Sequence, residues 1–185
     1  MPDIILGCNN FTTYGIRVLS TDTIIANTGQ ASGACVCDYA KIYFRSGTPS
    51  GVHIGTVYST GVNKFTPRDY VNLGTISIGV QEFTGLSVDC EENDYAALYA
   101  LSGSINYAAN TLTAWRADDK NIFTEGELTL EVFPDRGDFS FILSGETVAA
   151  GSKALKRFGG IITETGFSKK VNLLILTETG WQKGI

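Results

Sequence analysis

Apolar and β-branched residues in this chain come in short runs separated by turns rich in glycine, asparagine and aspartate, at 15–19, 23–26, 35–45, 54–60, 64–73, 74–83, 86–89, 95–101, 104–107, 127–133 and 139–143. That spacing predicts strands joined by tight connections. Period-2 alternation is clearest in Thr75-Ile76-Ser77-Ile78-Gly79-Val80 and in Leu128-Thr129-Leu130-Glu131-Val132, and it predicts strands with one wet face in antiparallel sheets. Pro134-Asp135-Arg136-Gly137-Asp138 has the composition of a turn, with proline setting the first φ and glycine accepting a positive one. The expected fold is all-β: an antiparallel, jelly-roll-like β-sandwich over residues 1–145. The one stretch with helical composition, 148–158, is interrupted by Gly151 and is expected to be a linker (146–158) with at most a turn or two of helix.

Residues 159–185 are different. Ile161-Ile162-Thr163-Glu164-Thr165-Gly166-Phe167-Ser168-Lys169-Lys170 is echoed 14 residues later by Ile175-Leu176-Thr177-Glu178-Thr179-Gly180-Trp181-Gln182-Lys183-Gly184. Each copy runs apolar pair, Thr-Glu-Thr-Gly, aromatic, polar, lysine. A strand-turn unit this small cannot bury its own apolar face, so it must stack on something. Either it folds back onto its own sandwich, or it is an arm that intertwines with neighbouring subunits. The expected contact residues are Ile161, Ile162, Phe167, Lys169, Lys170, Leu174, Leu176, Trp181 and Lys183.

Charge sharpens this division. The chain of 185 residues has a net charge of −5, yet residues 153–185 carry +4 and residues 1–152 carry −9. Body and tail therefore attract one another, within a subunit or between subunits. An acidic body also argues against nucleic acid, whose phosphates need a basic face. Charged residues are only 18% of the chain against 43% hydrophobic, lean enough to suggest that partners cover part of the surface. The segment Met1-Pro2-Asp3-Ile4-Ile5-Leu6-Gly7 lacks the basic and apolar regions of a secretory signal, and no run has the length of a membrane span. Synthesis in the cytoplasm without a signal peptide and no membrane association are expected. Cys8, Cys35, Cys37 and Cys90 are then expected to be reduced and buried.

Catalytic chemistry finds little support. His53 is the only histidine, so a histidine-based zinc site would need cysteines, and Cys35 and Cys37, which share a strand face, serve core packing equally well. No Gly-x-Ser-x-Gly elbow is present. The segment from Gly145 to Lys153 fails as a phosphate loop, because five residues separate its glycines and a serine precedes the lysine. The acidic turn Asp89-Cys90-Glu91-Glu92-Asn93-Asp94 offers oxygen ligands without an EF-hand order. No metal, no cofactor and no enzymatic activity are expected. Tyr107 and Trp115, with Tyr43 and Tyr58 as further candidates, are the aromatics that a carbohydrate-binding module would present, although aromatics in an all-β protein more often fill the core.

Three stretches carry a family resemblance: Lys64-Phe65-Thr66-Pro67-Arg68-Asp69-Tyr70-Val71-Asn72-Leu73-Gly74, Gln81-Glu82-Phe83-Thr84-Gly85-Leu86-Ser87-Val88 and Asn93-Asp94-Tyr95-Ala96-Ala97-Leu98-Tyr99. Together they resemble small β-sandwich structural proteins encoded by tailed bacteriophages and prophages, which show an Arg-Asp strand, a Phe-Ser/Thr-Gly-Leu turn and a Gly-Asp-Tyr strand. Here Asn93 replaces the glycine. Arg68 and Asp69 are expected to form a structural pair. The resemblance implies a virion protein, a capsid decoration or tail-associated subunit. Its partners would be copies of itself, a trimer first, and other virion proteins, with a host-surface glycan as the alternative ligand of an adhesion module.

Overall fold

A computed structural model describes residues 4–8, 11, 15–108, 114–133 and 138–147, and the backbone of 174–177 and 180–183. In chain order the strands are β1 (Ile4–Gly7), β2 (Gly15–Leu19), β3 (Asp22–Ile25), β4 (Cys35–Ser50), β5 (Val52–Gly61), β6 (Lys64–Gly74), β7 (Gly79–Cys90), β8 (Tyr95–Ala100), β9 (Ser102–Ala108) and β10 (Ala114–Ala117). A single-turn helix α1 (Ile122–Glu125) precedes β11 (Leu128–Thr129), β12 (Glu131–Phe133), β13 (Asp138–Phe139) and β14 (Phe141–Thr147). The chain divides into two units, residues 1–154 and 155–185. In the second, β15 (Leu174–Thr177) and β16 (Gly180–Lys183) form a two-stranded sheet of their own.

The first unit is the all-β sandwich expected, and every strand pairing in it is antiparallel. β4 is the spine of the first sheet. Over Cys35–Ile42 it lies between β14 and β7, and over Phe44–Ser50 it pairs with β9. β1 joins β14 and β2 joins β9. The second sheet has the order β11-β6-β5-β8-β3-β10-β12. Its first and last strands are the same stretch of chain, separated only by Leu130, so segment 128–133 ties the two edges together and the sheet curls on itself.

This closure gives the unit two cores. Between the sheets, Ile24, Ile54 and Leu98 from the second sheet meet Leu6, Ile42, Phe44, Ile105 and Phe141 from the first. On the other side of the second sheet, Ile25, Val57, Phe65 and Ala97 pack with Ala117, Ile122, Phe123 and Leu130. Neighbouring residues such as Ile24 and Ile25, or Ala96 and Ala97, therefore enter different cores, and the strands read as continuous apolar runs. Gly55 makes room in the second core: a Cβ there would lie 2.8 Å from Phe123 Cε1 and 2.6 Å from Tyr70 Cβ.

Two alternating segments depart from expectation. Residues 75–78 are not a strand but a connection between β6 and β7, bracketed by Gly74 and Gly79 at φ +70° and +95°. Ile76 is held there by its N–H, which donates to Pro49 O (3.0 Å), while Ile78 is exposed. Segment 128–132 is broken at Leu130, whose N–H donates to Asn63 O (2.8 Å) and whose side chain plugs the second core. The strand expected at 86–89 and residues 79–83 of the one expected at 74–83 form a single strand, β7. β1, β10 and α1 were not marked by the hydrophobic pattern. Strand β14 continues through Thr147, two residues past the expected end of the sandwich. Residues 134–137 and the helix candidate 148–158 lie outside the described residues.

Candidate functional site

Three buried thiols come together in the first sheet where β4 begins and β7 ends. Cys35 and Cys37 alternate along β4 on the same face, and Cys90, the last residue of β7, is the register partner of Cys35. The three Sγ atoms lie within 4.8 Å of one another, and Cys35 Sγ is 3.6 Å from Cys37 Sγ. Each side chain is at most 3% exposed. All four cysteines, Cys8 included, are buried thiols.

The backbone around Cys37 is irregular on both sides. Pairing of β4 with β7 jumps from Cys37↔Val88 to Tyr39↔Thr84, and pairing with β14 jumps from Cys37↔Gly145 to Tyr39↔Ser144. Asp38 is skipped by both neighbours. Gly145 lets β14 approach this bulge, since a Cβ there would meet Val36 O at 2.1 Å and Cys37 Cα at 2.8 Å. Gly85, at φ +70°, carries the irregularity in β7, so the Phe-Thr-Gly-Leu stretch is a kink inside a strand rather than a turn between two. Bulges of this kind re-aim side chains. Within the cluster, S–H donation from Cys37 and Cys90 lowers the pKa of Cys35. The same hydrogen bonding to Cys35, together with burial, raises Cys37 and Cys90.

His53 lies among aromatic rings. It projects from β5 into the second core, with ring centroids 5.3, 5.6 and 6.2 Å from Tyr70, Tyr99 and Phe123. Asn121 caps α1, its Oδ1 accepting from Phe123 N (3.1 Å), which turns its amide nitrogen toward His53 Nδ1 at 3.2 Å. Nδ1 is therefore the acceptor and the neutral ring carries its proton on Nε2. Burial lowers the pKa of His53 below its ordinary value.

The Arg-Asp stretch of β6 is structural, but its two residues do not pair with each other. Arg68 grips Asp94 through Nε and Nη2 (Nη2 to Oδ1, 3.1 Å), reaches Glu91 Oε2 at 3.1 Å, and lies over the Tyr58 ring. Asp69 accepts from Asp89 N (3.0 Å), while Thr56 Oγ1 donates to Asp89 O (2.6 Å). Side chains of the second sheet thus satisfy the outer backbone edge of β7 and fasten the sheets together. The acidic turn is spent on this fastening: Asp94 is fully buried and also accepts from Glu91 N (2.8 Å). Asn93 takes the glycine's place in the pattern at φ +69°, a left-handed conformation that asparagine tolerates better than most residues.

The candidate glycan contacts are separated and packed. Trp115, on β10, packs in the second core against Phe65, tilted, and Tyr95, edge-to-face (4.8 and 5.4 Å), and its indole N–H donates to Asn63 Oδ1 at 3.0 Å. Tyr107, on β9 of the other sheet, lies half-buried over Gly15, 6.0 Å from the Phe139 ring. Tyr58 and Tyr70 are the more exposed rings, on β5 and β6.

Of the arm residues, Leu174, Leu176, Trp181 and Lys183 belong to the β15–β16 hairpin, where Leu174 is the register partner of Lys183 and Leu176 of Trp181. Thr177, which opens the second Thr-Glu-Thr-Gly, pairs with Gly180, which closes it. Ile161, Ile162, Phe167, Lys169 and Lys170 lie outside the described residues. Among the described residues no helix is long and apolar enough to cross a membrane. Comparison with family models, curated proteins and solved structures finds no match for this chain.

Proposed function

We propose that this chain is a non-enzymatic structural subunit of a tailed-phage virion, of capsid-decoration or tail-associated type, in which the sandwich is displayed and the C-terminal arm joins it to copies of itself or to other virion proteins. The observation that carries this reading is the hairpin of β15 and β16, a separate two-stranded sheet with an apolar, repeated sequence. An isolated hairpin of two strands is marginal in water, so this one needs a surface to stabilise it. The net charge of +4 over residues 153–185, which include the hairpin, suits an acidic partner surface.

The first unit adds surfaces suited to association. β2 pairs only with β9 among the described residues and exposes Ile16 and Val18, at 45% and 62%. An edge strand with branched apolar side chains facing water is a natural place for another strand to add. The phage assignment itself rests on the resemblance carried by the β6, β7 and β8 stretches.

Removing residues 161–185 tests the reading. The truncated protein should keep its all-β circular dichroism but fall to a lower mass by native mass spectrometry, and should no longer join particles in a reconstitution assay. Unchanged mass and undiminished incorporation would overturn the role of the arm.

A further inference from the structure

We propose that Cys35, Cys37 and Cys90 form a three-sulfur site for a monovalent copper ion. The geometry points to an ion at the centre of the triangle. A triangle of sulfurs with sides of about 4 Å has its centre about 2.3 Å from each corner, the ordinary metal–thiolate bond length. The separations bracket that side, with one pair at 3.6 Å and none beyond 4.8 Å. Side chains two apart on a regular strand stand farther apart than this. The bulge of β4 at Asp38, which breaks its register with both β14 and β7, provides a local distortion that re-aims Cys37.

Ligand chemistry selects the ion. The cluster is all sulfur, and among the described residues no histidine or carboxylate completes it. Soft thiolates favour monovalent copper, zinc or iron–sulfur groups, and structural zinc demands four ligands. Three sulfurs in a dry core suit an ion content with two or three. Binding releases one proton for each sulfur that becomes a thiolate, and no electron changes hands when copper arrives already monovalent. Because Asp69, Thr56 and Asp94 fasten the end of β7 beside Cys90, the ion enters during folding or through a local opening that releases these contacts.

The test is an anaerobic titration of the reduced, full-length protein with monovalent copper against a chromogenic chelator. One copper per chain is expected, with near-ultraviolet thiolate-to-copper absorption and a higher melting temperature in its presence. Cys37→Ser and Cys90→Ser should each weaken binding by more than about 100-fold, beyond the usual cost of changes outside the ligand set. Cys8→Ser, at a buried thiol outside the cluster, should leave stoichiometry and affinity unchanged. Copper that stays entirely on the chelator, or an equal loss from Cys8→Ser, would overturn the site. Because a serine in the core can unfold the protein, X-ray absorption of copper on the unsubstituted chain provides a second reading. A shell of three sulfurs supports the assignment, and a shell of nitrogen and oxygen sinks it. Retention of zinc in preference to copper would overturn the choice of ion.

Discussion

His53 is held in its neutral form by its surroundings. The ring sits among Tyr70, Tyr99 and Phe123, and the Asn121 amide points a donor at Nδ1, so protonation would set two donors against each other in a half-buried place. Its pKa is lowered from 6.5 chiefly by burial. With the folded value below the unfolded one, the unfolded chain binds the proton more readily. The contribution of His53 to stability is therefore complete above the unfolded pKa and is lost as pH falls through the folded one. This is the only histidine in the chain. The free energy of urea unfolding should decline between about pH 7 and pH 5 in wild type, and His53→Gln should flatten that decline. A slope that survives in the variant would assign it elsewhere.

At the level of elements, the most consequential feature is the segment that β11 and β12 share. Leu130, 2% exposed, is the joint at which the second sheet closes on itself. Leu130→Ala should cost about 3 kcal/mol of unfolding free energy, through lost burial and an unfilled cavity. Val132→Ala, two residues away and 46% exposed, should stay within about 0.5 kcal/mol. Equal effects in the two variants, measured by urea denaturation, would mean that the closure contributes little. The same segment shows where sequence reasoning stopped. Alternation at 128–132 marked which residues point inward but could not reveal that the strand changes partners at Leu130, because partners are set by residues far away in the chain. Alternation at 75–80 misled for another reason: Ile76 and Ile78 repeat at the strand period, while glycines at positive φ on either side turn the segment out of the sheet. By contrast β2 falls where the pattern placed it, and β4, β5 and β6 coincide within a few residues except where β4 runs on to Ser50. β10 is missed because Ala-Trp-Arg-Ala has no alternation to detect. Cys35 and Cys37 were visible as a pair two apart. Cys90 joins them only through the register of β7 on β4.

For the whole molecule the governing fact is charge separation, +4 in residues 153–185 against −9 in the remainder. If the arm seats on the acidic body of a neighbour, attraction and apolar burial share the work, and they respond differently to salt. The Debye length falls from about 10 Å at 0.1 M to about 3 Å at 1 M, so the electrostatic share fades over that range while the apolar share does not weaken. The assembled mass, followed by light scattering, should shift toward smaller species as sodium chloride rises from about 0.1 M to about 1 M. The paired substitution Lys169→Glu with Lys170→Glu should produce the same shift at low salt and remove most of the remaining salt dependence. Trp181→Ala should also lower the mass but leave the salt dependence in place, since it removes apolar area rather than charge. A mass that ignores salt and both sets of substitutions would place the arm on its own body, where it changes no stoichiometry, and the contact between subunits would then have to lie elsewhere, with the exposed edge of β2 the first place to look.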